Sequence, residues 1–229
     1  MSLIVKNTTL PNILDLIAPH TCRGCNRLGS PLCDCCKNYI LVQKYCLCPN
    51  CKTKTKNGLC RKCKSLPPIY AIGERNLLLD KIIHEYKYNS VRSLAKPFAE
   101  MLDQILPKIN GEVIIVPLPT STTHIRKRSL DHTLLIAKQL GKIRHYQTNK
   151  VLIRTNNTTQ VGSDRKTRLL QAQSAYGINQ KISINPQTTY LLFDDVWTTG
   201  ASMKSAIKKL QQAGVSKIIV ALLAVSRLN

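Results

Sequence analysis

Leu191-Leu192-Phe193-Asp194-Asp195-Val196-Trp197-Thr198-Thr199-Gly200-Ala201-Ser202 is the stretch whose reading decides the fold. Tyr190 to its left extends an apolar, strand-forming run through Phe193. Two adjacent carboxylates follow, Asp194 and Asp195, and then a loop of small residues, Thr198, Thr199, Gly200, Ala201 and Ser202. Beyond the loop Ala206, Ile207 and Leu210 recur at helical spacing for a core, while Lys204, Lys208 and Lys209 face water. A strand that breaks into a small-residue loop and then a helix offers backbone N–H groups and a positive helix terminus to an anion. Thr and Ser hydroxyls add donors. The carboxylates would repel that anion. They suit the hydroxyls of a polyol beside it, or a hydrated magnesium ion. Diol, phosphate and metal together describe a phosphorylated sugar.

Working outward, residues 69–73 predict a strand and 76–88 a helix with Leu78, Ile82, Ile83 and Tyr86 inward. A second helix is expected over 96–106, with Pro97 tolerated in its first turn. Residues 113–117 and 218–225 are apolar runs for buried strands, 151–154 a short strand, and 130–140 and 166–172 helices. Strands alternating with helices predict an α/β parallel sheet covered by helices on both faces. Ligands in such sheets sit outside the carboxyl ends of the strands, where the opening stretch lies. A second strand end, Val116-Pro117-Leu118-Pro119, leads to Arg126-Lys127-Arg128, three cations suited to a pyrophosphate. The segment from Gln160 to Arg168, with Arg165 in it, has the composition of a lid over a phosphate ligand.

All ten cysteines fall between Cys22 and Cys63. Eight form pairs with two residues between: Cys22/Cys25, Cys33/Cys36, Cys48/Cys51 and Cys60/Cys63. Two thiolates at this spacing on a tight turn converge on one tetrahedral ion, so the pattern predicts one or two four-cysteine zinc sites. The simplest grouping is Cys22, Cys25, Cys33 and Cys36, then Cys48, Cys51, Cys60 and Cys63. Spacing alone leaves an interleaved grouping open, and Cys35 or Cys46 could replace a neighbour. Apolar content up to residue 69 is too low for a separate core, so the metals are expected to supply the folding free energy. Ser65-Leu66-Pro67-Pro68 closes this region, giving a cysteine-rich domain over 1–66 and a sheet domain over 67–229.

Lys and Arg number 34 against 12 Asp and Glu, a formal net charge of +22. Residues 1–69 hold eleven basic residues against Asp15 and Asp34, so both parts carry the excess. Such a charge favours a polyanionic partner. Lys52, Lys54, Lys56, Arg61, Lys62 and Lys64 crowd the second pair of cysteine turns, with Tyr39 and Tyr45 upstream, a composition suited to single-stranded nucleic acid. MSLIVKNTTLPNILDL has neither a basic leader nor a small-residue cleavage site, and the longest apolar run, 218–225, is too short to span a bilayer. A cytoplasmic protein is expected, with charge enough for peripheral contact with the inner face of the membrane.

The Asp-Asp-x-x-Thr-Thr-Gly loop resembles the phosphoribosyl-pyrophosphate signature of type I phosphoribosyltransferases. That resemblance implies ribose hydroxyls, with magnesium, at Asp194 and Asp195, and the 5′-phosphate at Thr198, Thr199, Gly200, Ala201 and Ser202. The ordered set of cysteine ribbons, Tyr86-Lys87-Tyr88, Val116-Pro117-Leu118-Pro119, the Arg-rich loop, Gln160-x-Gly162-x-x-Arg165 and the acidic loop resembles the ComF family over residues 21–227. These are double-zinc-ribbon relatives of the phosphoribosyltransferases, tied to DNA uptake in naturally competent bacteria. The resemblance implies a factor that handles incoming single-stranded DNA, binds phosphoribosyl pyrophosphate or a nucleotide, and works beside proteins of the competence machinery.

Ser129-Leu130-Asp131-His132 stands where that family reads Gly-Phe-Asn-Gln, which sets the charge of Asp131 where pyrophosphate would lie. Ala201 replaces a Ser or Thr of many transferases. His132 reads as a helix-surface histidine, and no stretch identifies a catalytic residue or an acceptor base. The expectation is a sugar-phosphate binding site; the competing one is an active magnesium-dependent phosphoribosyltransferase.

Overall fold

The computed structural model describes residues 20–42, 47–64, 66–120, 130–155 and 176–226. Five strands form one sheet in the order β1-β7-β6-β2-β3: β1 (Ile69–Glu74), β7 (Ile218–Val225), β6 (Thr189–Trp197), β2 (Val113–Pro117) and β3 (Gln147–Thr148). Every pairing in it is parallel. A separate antiparallel hairpin joins β4 (Leu152–Arg154) to β5 (Tyr176–Ile178).

Parallel strands need crossovers, and helices supply them. On one face lie α2 (Leu77–Tyr88), α3 (Ala95–Ile105) and α4 (His132–Arg144), whose buried Leu79, Ile82, Phe98, Leu102, Ile136 and Leu140 pack against Leu191, Phe193 and Leu223 of the sheet. The other face is covered by α5 (Ala201–Gln212) and the hairpin, through Met203, Ala206, Ile207, Leu210 and Tyr176 against Tyr190, Leu192 and Val220. The two-sided cover accounts for strands that read as unbroken apolar runs rather than alternating ones.

Helix bounds shift with capping. Asn76 caps α2, its side chain accepting from Leu79 N at 2.9 Å, so the helix begins at Leu77. Leu79, not Leu78, is then fully buried, with Ile82, Ile83 and Tyr86. Asp131 caps α4, which starts two residues later than its sequence pattern suggested and runs on to Arg144. The helix expected over 166–172 lies outside the described residues.

The cysteine-rich region is two turns of the same design, followed by different packing. In each, the residue after the second cysteine has positive φ, Asn26 at 62° and Lys52 at 59°, and its N–H donates to the carbonyl of the first cysteine at 2.8 Å. The first unit adds α1 (Asp34–Val42), and its Cys22, Leu32, Cys36, Ile40 and Leu41 merge with the core of α2 and α3. Lys37 fastens α1 to α3 through Glu100 at 2.9 Å. This differs from a region relying on metal alone for its folding free energy. The second unit attaches to the sheet by backbone: Ile69 N–H donates to Gly58 O at 3.0 Å, and Tyr70 Oη to Asn57 O at 2.8 Å. Gly58 has φ +74°, and a Cβ there would stand 2.9 Å from Ile69 O.

Candidate sugar-phosphate site and cysteine clusters

The sequence reading ended β6 before the carboxylates; in the structure the strand continues through both of them to Trp197. The reason is β7, which pairs Asp194 with Leu222, Val196 with Ala224 and Trp197 with Val225. Adjacent strand residues point to opposite faces. Asp194 accordingly opens into a cleft of about 50 Å³ lined by Thr198, Thr199, Gly200, Ala201 and Ser202. Asp195 lines a different cavity, of about 290 Å³, with Arg75, His84, Lys87 and Tyr88.

The loop between β6 and α5 is held open by Gly200. Its φ is +74°, and a Cβ there would meet Cζ2 of the buried Trp197 ring at 2.2 Å. Gly200 precedes α5 with no side chain capping the helix, while Thr199 Oγ1 accepts from Ala201 N at 3.4 Å. The first turn of α5 therefore presents N–H groups and the exposed Ser202 toward the cleft, a cradle for an anion the size of one phosphate. Tyr176, buried at the start of β5, abuts the Ser202 hydroxyl, and its phenol is raised by burial.

Electrostatics separate the two carboxylates. Burial pushes Asp194 up to about 8, and the neighbouring Asp195 charge adds to the shift. The Asp195 N–H, 2.8 Å from Asp194 Oδ1, and Lys87 oppose it. Asp195 in turn pairs with Lys87 Nζ at 2.5 Å. A diol or a hydrated cation arriving at Asp194 would stabilise its charged form, so these residues fit a magnesium-bound sugar.

Sequence reasoning missed the structural part of Lys87. Its signal was helical spacing: four residues after the buried Ile83, Lys87 falls on the inward face of α2 and is only 14% exposed. His132 was misread. It is buried, because α4 packs it edge-on against Tyr86 at 4.8 Å, and Tyr86 Oη donates to His132 O at 2.8 Å. Asp131 also differs from expectation. Its carboxylate accepts from Leu134 N at 3.2 Å and Thr133 Oγ1 at 3.0 Å, with Lys150 at 3.5 Å, so its charge is committed to capping α4. Arg126, Lys127 and Arg128, the lid segment with Arg165, Tyr45 and Cys46 lie outside the described residues.

The eight paired cysteines fall into two groups, Cys22, Cys25, Cys33 and Cys36, and Cys48, Cys51, Cys60 and Cys63, each with all four Sγ atoms within 4.8 Å of one another. Consecutive pairs are therefore together, not interleaved ones, and Cys35 is exposed outside the first group. Zn–S bonds of about 2.3 Å at tetrahedral angles imply S···S edges of about 3.8 Å. Cys22 and Cys36 lie 3.8 Å apart, Cys25 and Cys33 3.6 Å, and Cys51 and Cys60 3.5 Å. Each group could hold one zinc ion. Burial raises the Cys22 thiol, but the N–H groups of Cys33, Cys25 and Gly24 outweigh it and bring it down to about 6. The Thr53 hydroxyl and N–H bring Cys51 down to about 6 as well. One thiolate in each group is thus favoured at neutral pH, which suits metal capture.

Lys54, Lys56, Arg61, Lys62 and Lys64 are exposed on the second unit, whereas Lys52 is half-buried in its positive-φ turn. Lys62 and Lys64 face α5 of the sheet domain across a groove. Tyr39 is exposed on α1, in the first unit. Among the described residues, no helix is long and apolar enough to cross a membrane.

No protein-family model matches the sequence, and no curated protein matches it. Among solved structures, the chain is similar to an allosteric regulatory enzyme of purine biosynthesis, at 16% identity and TM-score 0.44, over 61% of this chain and 29% of that one. It is similar to glutamine phosphoribosylpyrophosphate amidotransferase from B. subtilis, at 15% identity and TM-score 0.43, over 61% of this chain and 30% of that one. A third similarity is to adenine phosphoribosyltransferase from Saccharomyces cerevisiae, at 15% identity and TM-score 0.33, over 67% and 70% of the two chains. The chain spans less than a third of the length of the first two.

Proposed function

We propose that the sheet domain, from residue 67 onward, binds phosphoribosyl pyrophosphate or the phosphoribosyl end of a nucleotide. The whole chain, with its zinc-loaded ribbons over residues 1–66, would bind and handle incoming single-stranded DNA during natural transformation. One observation carries the sugar-phosphate part: Asp194 opens into the same cleft as the 198–202 loop. Hydroxyl-accepting carboxylate and anion-accepting N–H groups are thereby set side by side, as a sugar phosphate requires. On this reading Asp194, from the cleft, and Asp195, from the adjoining cavity that shares Val196 and Thr198 with it, take the ribose hydroxyls and magnesium, and Thr198 to Ser202 the 5′-phosphate. From the family resemblance, Arg126, Lys127, Arg128 and Arg165 take the pyrophosphate. The DNA part rests on the +22 charge and on the exposed cations of the second ribbon. It places the protein in the cytoplasm or at the inner face of the membrane, beside competence-machinery proteins.

The test is calorimetric titration of phosphoribosyl pyrophosphate with magnesium, paired with a transformation assay. Asp194→Asn/Asp195→Asn is expected to abolish ligand binding and to lower transformation. Full transformation by a double variant that binds no ligand would overturn the link between site and function.

A second reading, a magnesium-dependent phosphoribosyltransferase, is favoured by the cavity beside Asp195. It offers about 290 Å³ next to the ribose position, room for an acceptor base. In that reaction the base nitrogen bonds to the ribosyl carbon as pyrophosphate leaves. Release of pyrophosphate in the presence of one base from a panel, absent in the double variant, would establish it.

A further inference from the structure

The second cysteine unit and α5 enclose a groove of about 760 Å³. Lys62 and Lys64 stand on the ribbon wall, Lys204 and Lys208 on the helix wall, and the half-buried Leu66 contributes apolar surface between them, beside Ile207, which is buried in the core. None of the described lining residues is acidic. On α5 the exposed Lys204, Lys208 and Gln211 follow the spacing i, i+4, i+7, so one helix face is given over to the groove. We propose that this groove is a binding site for single-stranded nucleic acid, a reading that rests on the DNA half of the function proposed above.

Three features select this ligand. Cations on two facing walls match a backbone of successive phosphates better than a single anion does. The apolar surface between them can receive the face of an unpaired base, which a duplex keeps stacked inside. A membrane surface is broad and would meet the rims without reaching Leu66.

The groove is preformed. Lys204 Nζ donates to Asn50 Oδ1 at 2.5 Å, and Asn50 Nδ2 donates to Cys63 Sγ at 3.3 Å. With the Gly58–Ile69 and Tyr70–Asn57 bonds, this ties the ribbon both to α5 and to β1. An ammonium has three donors. Asn50 uses one and leaves Lys204 oriented with two for phosphate oxygens.

The experiment is fluorescence-anisotropy titration of a labelled 20-nucleotide oligothymidylate over a series of salt concentrations. Each phosphate neutralised on a single strand contributes about 0.7 to the slope of log affinity against log salt, so Lys204→Ala/Lys208→Ala is expected to lower the slope by about 1.4. A loss of at least tenfold in affinity at low salt is expected with it, and Lys204→Arg/Lys208→Arg should retain binding. Both positions are exposed on a helix, where alanine is well tolerated. An unchanged slope in the alanine variant, with loss instead in Lys52→Ala/Lys54→Ala/Lys56→Ala, overturns the groove and leaves the DNA reading standing. No binding by the unaltered protein overturns both, while the sugar-phosphate titration is unaffected. Loss of binding to vesicles of equal phosphatidylglycerol and phosphatidylcholine, with oligothymidylate binding intact, would assign the groove to a membrane and overturn the proposal.

Discussion

Lys87 Nζ lies 2.5 Å from Asp195 Oδ2, so the last turn of α2 already delivers a cation to one of the two carboxylates on β6. With side chains 14% and 22% exposed, the pair is largely withdrawn from water. Removing one member leaves a poorly solvated charge. Losing Lys87 also sets Asp195 unneutralised beside Asp194. Lys87→Met is therefore expected to destabilise the protein by roughly 1–3 kcal/mol at pH 8, below the range for fully buried pairs because some solvent reaches this one. The loss should shrink at pH 5, where Asp194 is protonated. Adding Asp195→Asn should recover most of it, and urea unfolding of the four proteins in this cycle measures the coupling.

Asp194 itself sets a pH dependence. Its carboxyl is raised from the ordinary value of about 3.9 to about 8, so between these values the folded form holds a proton that the unfolded chain has released. More protons on the native state means stability falls as pH rises through that window and levels off above it. In thermal unfolding from pH 5 to 9, Asp194→Asn is expected to gain several degrees relative to the unaltered protein as pH approaches 8. Sugar-phosphate affinity should move the opposite way, rising toward pH 8 because the ligand favours the carboxylate.

Gly200 packs on the only tryptophan of the chain. Gly200→Ala adds about 1–2 kcal/mol of backbone strain at its positive φ and forces the Trp197 ring aside. A lower melting temperature and at least a tenfold weaker sugar-phosphate affinity are expected. The ring also provides the readout: titration of the unaltered protein with phosphoribosyl pyrophosphate and magnesium should change its emission, and the alanine variant should lose that response.

The two cysteine groups should respond differently to loss of a ligand. Elemental analysis is expected to give two zinc ions per chain, and one in either Cys22→Ser or Cys60→Ser. Cys22 and Cys36 belong to the core shared with α2 and α3, whereas Cys48 and Cys60 are buried outside it. Cys22→Ser should thus lower the unfolding temperature of the sheet, while Cys60→Ser should leave it nearly unchanged and abolish binding of oligothymidylate.

Local chemistry was legible in the sequence, and pairing across distance was not. The apolar run 218–225 coincides with β7 because both faces of that strand are covered, and the cysteine turns announced themselves by spacing. The end of β6 was misplaced because its last residues owe their extended form to β7 pairing rather than to their own preference. His132 looked exposed since the partner that buries it, Tyr86, lies 46 residues away. Asn50 and Lys204 are 154 residues apart, and no local pattern connects a cysteine turn to the helix that follows β6.

The sheet order has a consequence for how the protein is made. β7 lies between β1 and β6, yet it leaves the ribosome after both. Until it emerges, β1 has no neighbour in the sheet, and the half of β6 bearing Asp194 and Trp197 lacks the partner that extends it. During synthesis the ribbons and α2 are already present while the cleft is not. The nascent chain therefore offers the cations of its second cysteine unit before the cleft beside Asp194 has its final form.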